Sequence, residues 1–262
     1  MKNMTEYKYI SIIVNKFEQP FEIKLATPNP DLIDQRVIDD AVAKISGNIK
    51  EYDDVFSLEN NNSLLAKFQD GEETALMISK TFQEVYEQTI MAEQMTHHYF
   101  SSYFNGKYDP IGLLNGWMID KIFNKYLLSL LSVEGIDGVS LRCGEDVRLA
   151  SRPNIDFRWR VAIKDPQNLD ILLATYFLQN GAVSTSNEMR SLRKEKSNIE
   201  QVTIVSNSAL DANIWSSAGI SAGTAKFPEF ISKYHLTGMI VDKYAGMENF
   251  RDGFSDKIAM PK

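Results

Sequence analysis

The sequence predicts an α+β fold in one domain, with a largely antiparallel sheet packed against long helices. Three observations lead there. Apolar residues recur at helical spacing through much of the first half, up to about Val133. From Val139 onward the period changes to short strand-like runs. The 262 residues show no internal repeat and no long linker, so we read residues 1–262 as a single domain with a real core.

Residues 7–14 and 21–25 predict a strand pair, joined by a turn that includes Gln19-Pro20. Pro28-Asn29-Pro30-Asp31 predicts a helix start, with Asn29 as cap, Pro30 in the first turn and Asp31 at the positive dipole end. That helix should run to about Ile45 and stop near Gly47. A second should begin at Asp70-Gly71-Glu72-Glu73, with Ile78, Phe82, Val85 and Tyr86 on its apolar face. A third, from Asp109 to about Val133, is apolar on most faces and should be deeply buried, ending at Gly135 or Gly138. Residues 139–142, 147–149, 157–163, 171–177, 201–205 and 239–241 then read as strands. Short helices are expected over residues 211–219 and 228–234, and residues 190–196 read as a solvated charged loop.

Composition excludes several function classes. With 35 acids against 28 bases the net charge is −7, so a broad nucleic-acid surface is not expected. A single cysteine, Cys143, leaves no intramolecular disulfide and no zinc site built on paired cysteines. The apolar run Ile10-Ser11-Ile12-Ile13-Val14 is too short and too interrupted for a signal peptide, and no segment has the apolar length of a membrane span. The expectation is a cytoplasmic protein without a membrane partner.

Three segments carry the chemistry. The first, Asp109-Pro110-Ile111-Gly112-Leu113-Leu114-Asn115-Gly116-Trp117-Met118-Ile119-Asp120-Lys121, puts an acid at a helix start and two glycines on the helix. A helix N-terminus offers free amide donors, suited to a phosphate or a polar cofactor edge. The second is Arg142-Cys143-Gly144-Glu145-Asp146-Val147-Arg148, and the third Gly181-Ala182-Val183-Ser184-Thr185-Ser186. The second reads as a tight strand-to-strand turn, and the third supplies short hydroxyl side chains.

In this order and separation the three segments resemble the ApbE family, the FAD:protein FMN transferases, whose patterns run D-x-x-G-x-x-K-G-x-x-x-D/E, G-G-D-x-R and G-A-x-A-T-S-G. The resemblance covers about Val55 to Asp242. It implies FAD as substrate or ligand, Mg²⁺ as the ion on the diphosphate, and an acceptor protein that receives FMN on a serine or threonine. It implies that Asp109 contacts FAD, that Gly112 gives a backbone oxygen to the metal, and that Asn115 stands at a cofactor-contacting lysine. Tyr99, Phe100 and Ser101 fall where the family carries a glycine, an aromatic and an aspartate, while Thr96 matches and His97-His98 replace glycines. Aromatic faces there suit a flavin ring. Thr185 and Ser186 fall in the hydroxyl segment around the flavin.

Two departures stand out. The family's histidine-containing segment after the serine motif is missing, since no histidine follows His98 until His235. The metal-binding D-A-x-A-T-A motif is matched to Asp211-Ala212-Asn213-Ile214-Trp215-Ser216-Ser217, which keeps the aspartate but sets Trp215 at the threonine place. Ser216 or Ser217 is then the nearest hydroxyl. Two functions follow: an FAD:protein FMN transferase using Mg²⁺, or a flavin-binding protein of the same fold without transfer.

Overall fold

A computed structural model describes residues 6–15, 19–187 and 198–256. The charged stretch expected as a loop, residues 190–196, lies outside them. In chain order the elements are β1 (Lys8–Val14), β2 (Phe21–Thr27), α1 (Gln35–Phe56), α2 (Leu64–Gln69), α3 (Ala75–Ile78), α4 (Lys80–Met95), β3 (Tyr103–Phe104) and β4 (Lys107–Tyr108). Then come α5 (Ile111–Ile122), β5 (Gly138–Cys143), β6 (Asp146–Ser151), β7 (Trp159–Lys164), β8 (Leu172–Leu178), β9 (Asn180–Asn187) and β10 (Ile199–Ser206). The last are α6 (Ala209–Lys233), β11 (Thr237–Asp242), β12 (Gly246–Arg251) and β13 (Phe254–Asp256).

Nine strands form one sheet in the order β1-β2-β5-β6-β9-β10-β11-β12-β13, and every pairing is antiparallel. Strand alternation sorts the side chains by face. Ile23, Leu25, Val139, Leu141, Val202 and Ile204 meet the helices in the main core. Val147, Leu149, Val183 and Met239 meet the β7–β8 hairpin, whose Trp159, Val161 and Ile163 cover the other face. The α+β class with a mostly antiparallel sheet is therefore as expected. So is the deep burial of α5, with Leu113, Leu114, Trp117, Met118, Ile119 and Ile122 all buried.

Several boundaries differ, for local reasons. Asn29 does cap a helix, accepting from the Asp31 amide, but only the single 3₁₀ turn Pro30–Leu32. The long helix starts one step later, with Asp34 as its cap, and passes through Gly47 to Phe56. Gly47 meets nothing within 4 Å, so nothing in the packing demanded a stop there. The helix expected from Asp70 starts at Lys80, because Ser79 takes the cap by accepting from the Phe82 amide. After α5 the chain passes through a π turn and a 3₁₀ turn to Ser132. The two short helices expected after Asp211 are one, α6, kinked at Gly223 (φ 62°). β12 and β13 were not foreseen.

Candidate functional site

Helices α5 and α6 lie unusually close. A Cβ on Gly116 would stand 2.8 Å from the Ala209 carbonyl oxygen and 2.9 Å from the Leu210 Cα. One turn further on, Asp120 caps α6, accepting from the Ser208 hydroxyl (2.7 Å) and from the Ala209 and Leu210 amides (3.0 Å each). Arg148 of β6 faces this carboxylate at 3.6 Å and lies over the Phe123 ring. The second glycine and the closing acid of the first motif thus fix the angle between two helices.

Between these helices, the β5–β6 turn and the end of β9 lies a cavity of about 300 Å³. Ile111, Gly112 and Asn115 of α5 line one wall, and Asn213, Ser217 and Ile220 of α6 another. Tyr99, Phe100 and Ser101 close a third side. That segment leaves α4 through His97 and His98, which both take the left-handed backbone (φ 52° and 65°). Left-handed backbone is costly for any side chain, so these positions favour glycine, the residue the family carries there. His97 stacks on Phe230 (centroids 5.7 Å apart), and Thr96 Oγ1 holds the turn by accepting from the Phe100 amide at 3.0 Å.

The cavity floor is a hydroxyl network. Ser216 Oγ lies 3.0 Å from Ser184 Oγ and 2.9 Å from Ser186 Oγ, and Ser186 Oγ reaches Ser217 Oγ at 3.2 Å. At its inner end sits Asp146, only 5% exposed. Its carboxyl is pushed up to about 6 by burial, against the hydrogen bonds of Ser184 and Asn213. Asn213 donates its Nδ2 to Asp146 Oδ2 at 2.9 Å, and its buried Oδ1 has no partner among the described residues. Cys143 also borders the cavity, its thiol pushed up to about 12 by burial. The expected tight turn is there: Cys143 pairs with Asp146 across Gly144-Glu145, and Gly144 is left-handed (φ 57°).

Of the residues singled out in the sequence, Tyr99, Phe100, Ser101, Gly112, Asn115, Thr185 and Ser186 converge on this cavity. Three others do not. Asp109 does not line it; its Oδ1 accepts from the Ile111 amide at 3.0 Å, a cap at the start of α5. Ser216 is fully buried beneath the floor, bonded to its serine neighbours. Asp211 lies on the opposite side of α6, in a separate cavity with Trp215. Thr185 lines the cavity with its hydroxyl held by Thr203 Oγ1 at 2.9 Å, while the hydroxyls of Ser184 and Ser186 bond toward α6.

The family's metal-binding aspartate and threonine are four residues apart, one helical turn. The pair on α6 that faces the cavity with this spacing is Asn213 and Ser217. Asp211 and Trp215, which have the same spacing, line the separate cavity on the other side of the helix. The Trp215 ring packs in the core against Tyr234 (centroids 4.5 Å apart) and Phe230. In the sequence Ser217 stands only as an alternative to Ser216, Asp146 only as part of a turn, and Asn213 is not singled out. An amide and a hydroxyl four apart on a helix, opposite a serine-rich strand, was the available signal.

A model of the ApbE family matches residues 105–240, just over half of the chain. The chain belongs to that family. Its fold is similar to the flavin transferase ApbE from Vibrio cholerae, with TM-score 0.71 and 15% identity over 94% of this chain and 98% of that one. It is similar to the Pseudomonas stutzeri flavinyl transferase ApbE in its apo form, with TM-score 0.69 and 13% identity over 92% and 94%. The ApbE protein from Thermotoga maritima gives TM-score 0.73 and 16% identity over 93% and 97%. No curated protein matches the chain.

The donor set fits Mg²⁺ poorly. A hard cation on a diphosphate wants several oxygen ligands, carboxylates among them. Here α6 offers the orphaned Asn213 amide oxygen and the Ser217 hydroxyl, while the nearby Asp146 is already hydrogen-bonded. Among the described residues no group of three His, Cys, Asp or Glu side chains is placed to hold a metal.

Proposed function

We propose that this protein is FAD:protein FMN transferase-like and takes FAD into the cavity between α5 and α6. The observation that carries this reading is convergence: residues from all three motif segments, distant in sequence, line one cavity. Phe100 and Tyr99 offer aromatic surface for the isoalloxazine, with Ile111 and Ile220 as further apolar contacts. Ser186, Ser217 and Asn115 offer hydrogen bonds to its polar edge or to the ribityl chain. A transferase of this kind would place the FAD phosphorus in line with a serine or threonine hydroxyl of an acceptor protein.

One observation favours the form without efficient transfer. The α5 and α6 side chains that face the cavity include the uncharged Asn115 and Asn213, which we read as the counterparts of the family's lysine and metal-binding aspartate. Neither amide carries charge, so neither neutralises a diphosphate or holds a cation tightly. We read the protein as a flavin binder with weak Mg²⁺ affinity and little FMN transfer. No helix among the described residues is long and apolar enough to cross a membrane, and a cytoplasmic setting belongs to this proposal.

The test is an absorbance spectrum of the purified protein, followed by release and identification of bound flavin. Co-expression with a flavinylation acceptor and Mg²⁺ completes it. Releasable flavin with no covalent label on the acceptor is the expected result. Robust covalent labelling identifies an active transferase; absence of flavin binding removes both readings.

A further inference from the structure

Among the described residues the nine-stranded sheet ends in two unlike edges. At one end β13 is three residues long, exposed throughout, and carries Asp256. At the other, β1 is seven residues long and pairs with β2 along its whole length without a bulge. Its second side pairs with no strand among the described residues. An open strand edge presents a row of unbonded amides and carbonyls, and proteins ordinarily blunt it with charges, proline or a bulge. Lys8-Tyr9-Ile10-Ser11-Ile12-Ile13-Val14 has no proline and a single charge, at its start.

The apolar side chains of this edge are left half-open in a symmetric order. Tyr9 and Ile13 are each 53% exposed. With the exposed Ser11 they fall on the face of the β7–β8 hairpin, where Tyr9 meets the Trp159 ring at 5.9 Å. Ile10 and Ile12 fall on the helix face and lie, partly buried, against the main core. Set antiparallel to a second copy with Ser11 at the centre, β1 places Tyr9 opposite the partner's Ile13 and Ile10 opposite the partner's Ile12. Each of these apolar residues then meets an apolar one on the same face, and such cross-strand pairs stabilise a sheet. The charges agree with this register. Lys8 falls opposite the partner's Val14, which leaves the two lysines roughly 20 Å apart, beyond the screening length of about 8 Å. A register centred on Tyr9 would bring them within roughly 7 Å.

We propose that β1 is a dimerisation edge, at which two copies of this chain join β1 to β1 about a two-fold axis through Ser11. The axis stands perpendicular to the sheet, so the helix layers of the two copies adjoin on one face and the β7–β8 hairpins lie on the other. The contact is isologous and closed. Seven residues give a strip roughly 23 Å long, and two layers make it about 20 Å deep. The two partners together bury on the order of 900 Å², a small interface, so the dimer is weak and concentration-dependent. It is independent of the flavin reading, since no β1 residue lines the cavity between α5 and α6.

The first measurement is sedimentation velocity of the full chain from about 1 to about 200 μM, where a monomer–dimer equilibrium is expected. Ile13→Lys and Tyr9→Glu should each raise the dimer dissociation constant at least about tenfold. The double variant sets Glu opposite Lys at both pairs across the axis and should recover most of that loss. The second measurement fixes the register. Opposed residues of an antiparallel pair have Cα atoms about 4.5–5.5 Å apart, within the disulfide range of about 4.4–6.8 Å. Ser11→Cys should therefore cross-link the dimer under a mild oxidant, and Ile13→Cys, opposite the partner's Tyr9, should not; the native Cys143 is buried. Both cysteines replace exposed side chains, so this pair decides even where circular dichroism shows a charged variant unfolded. A chain that stays monomeric at about 200 μM overturns the proposal. So does a dimer that folded Ile13→Lys leaves intact, or one that cross-links through Ile13→Cys rather than Ser11→Cys.

Discussion

The two faces of α6 differ in what they are for. On the side of α6 that carries Trp215, the tryptophan ring is buried and packs against Tyr234 and Phe230. The face with Asn213 and Ser217 is polar, lines the cavity, and rests on hydroxyls and a buried carboxyl that apolar packing alone would not select. The contrast teaches that the most conspicuous residues of a helix need not be its functional ones. Asp211 and Trp215 draw the eye in the sequence; the site is built from an amide and a serine. Substitutions that separate stability from flavin affinity sharpen this comparison.

The largest effect is expected at the core face. Trp215→Ala removes a buried ring in contact with Tyr234 and Phe230 and should destabilise the fold by roughly 3–5 kcal/mol. Urea unfolding measures this, and flavin affinity per folded molecule should stay within about twofold, a negligible free-energy change. A fold that tolerates the alanine while losing flavin would put Trp215 in the site and erase the distinction. Next is Asp120→Ala, which uncaps α6 and leaves Arg148 facing no carboxylate in a mostly buried position. A loss of about 3 kcal/mol is expected. A loss below about 1 kcal/mol would show that the clamp between α5 and α6 contributes little.

Asp146 gives a smaller, pH-dependent effect. Its carboxyl is raised to about 6, so the folded state holds the proton more tightly than the unfolded chain does. Stability from this group is therefore greatest at low pH, falls as pH rises through the interval up to about 6, and is constant above it. The slope amounts to something on the order of 2 kcal/mol and should vanish in Asp146→Asn. Unfolding measured from pH 4 to pH 8 checks it, and a slope that survives in Asp146→Asn assigns it elsewhere. The smallest stability effect belongs to the site face. Ser217→Ala should change stability by no more than about 0.5 kcal/mol, yet weaken flavin several-fold, on the order of one lost hydrogen bond.

Much of this was legible in the sequence because it rests on patterns with strong physical causes. The apolar run of α5 demands burial, the change of period at Val139 marks the sheet, and the ordered motifs place Gly112, Asn115 and Ser186 together. What was misjudged depends on orientation. Asp211 matches the family's motif by identity, but only the packing of α6 shows that its side chain turns away from the cavity between α5 and α6. Thr185 does line the cavity, but the sequence did not reveal that its hydroxyl is held by Thr203. Asp146 was taken for part of a turn, because nothing in the sequence reveals that Ser184 and Asn213 will enclose it.

The central claim is that Asn213 and Ser217, not Asp211, form the flavin-facing side of α6. The most direct measurement is an FAD titration by flavin fluorescence, with and without Mg²⁺, on the parent, on Asp211→Ala and on the double variant Asn213→Asp with Asn115→Lys. The account predicts that Asp211→Ala binds FAD as the parent does, within about twofold. It predicts that the double variant gains a Mg²⁺-dependent increase in affinity of about tenfold or more, as restored charges begin to neutralise the diphosphate. Loss of FAD binding in Asp211→Ala, with no Mg²⁺ dependence gained by the double variant, would contradict it.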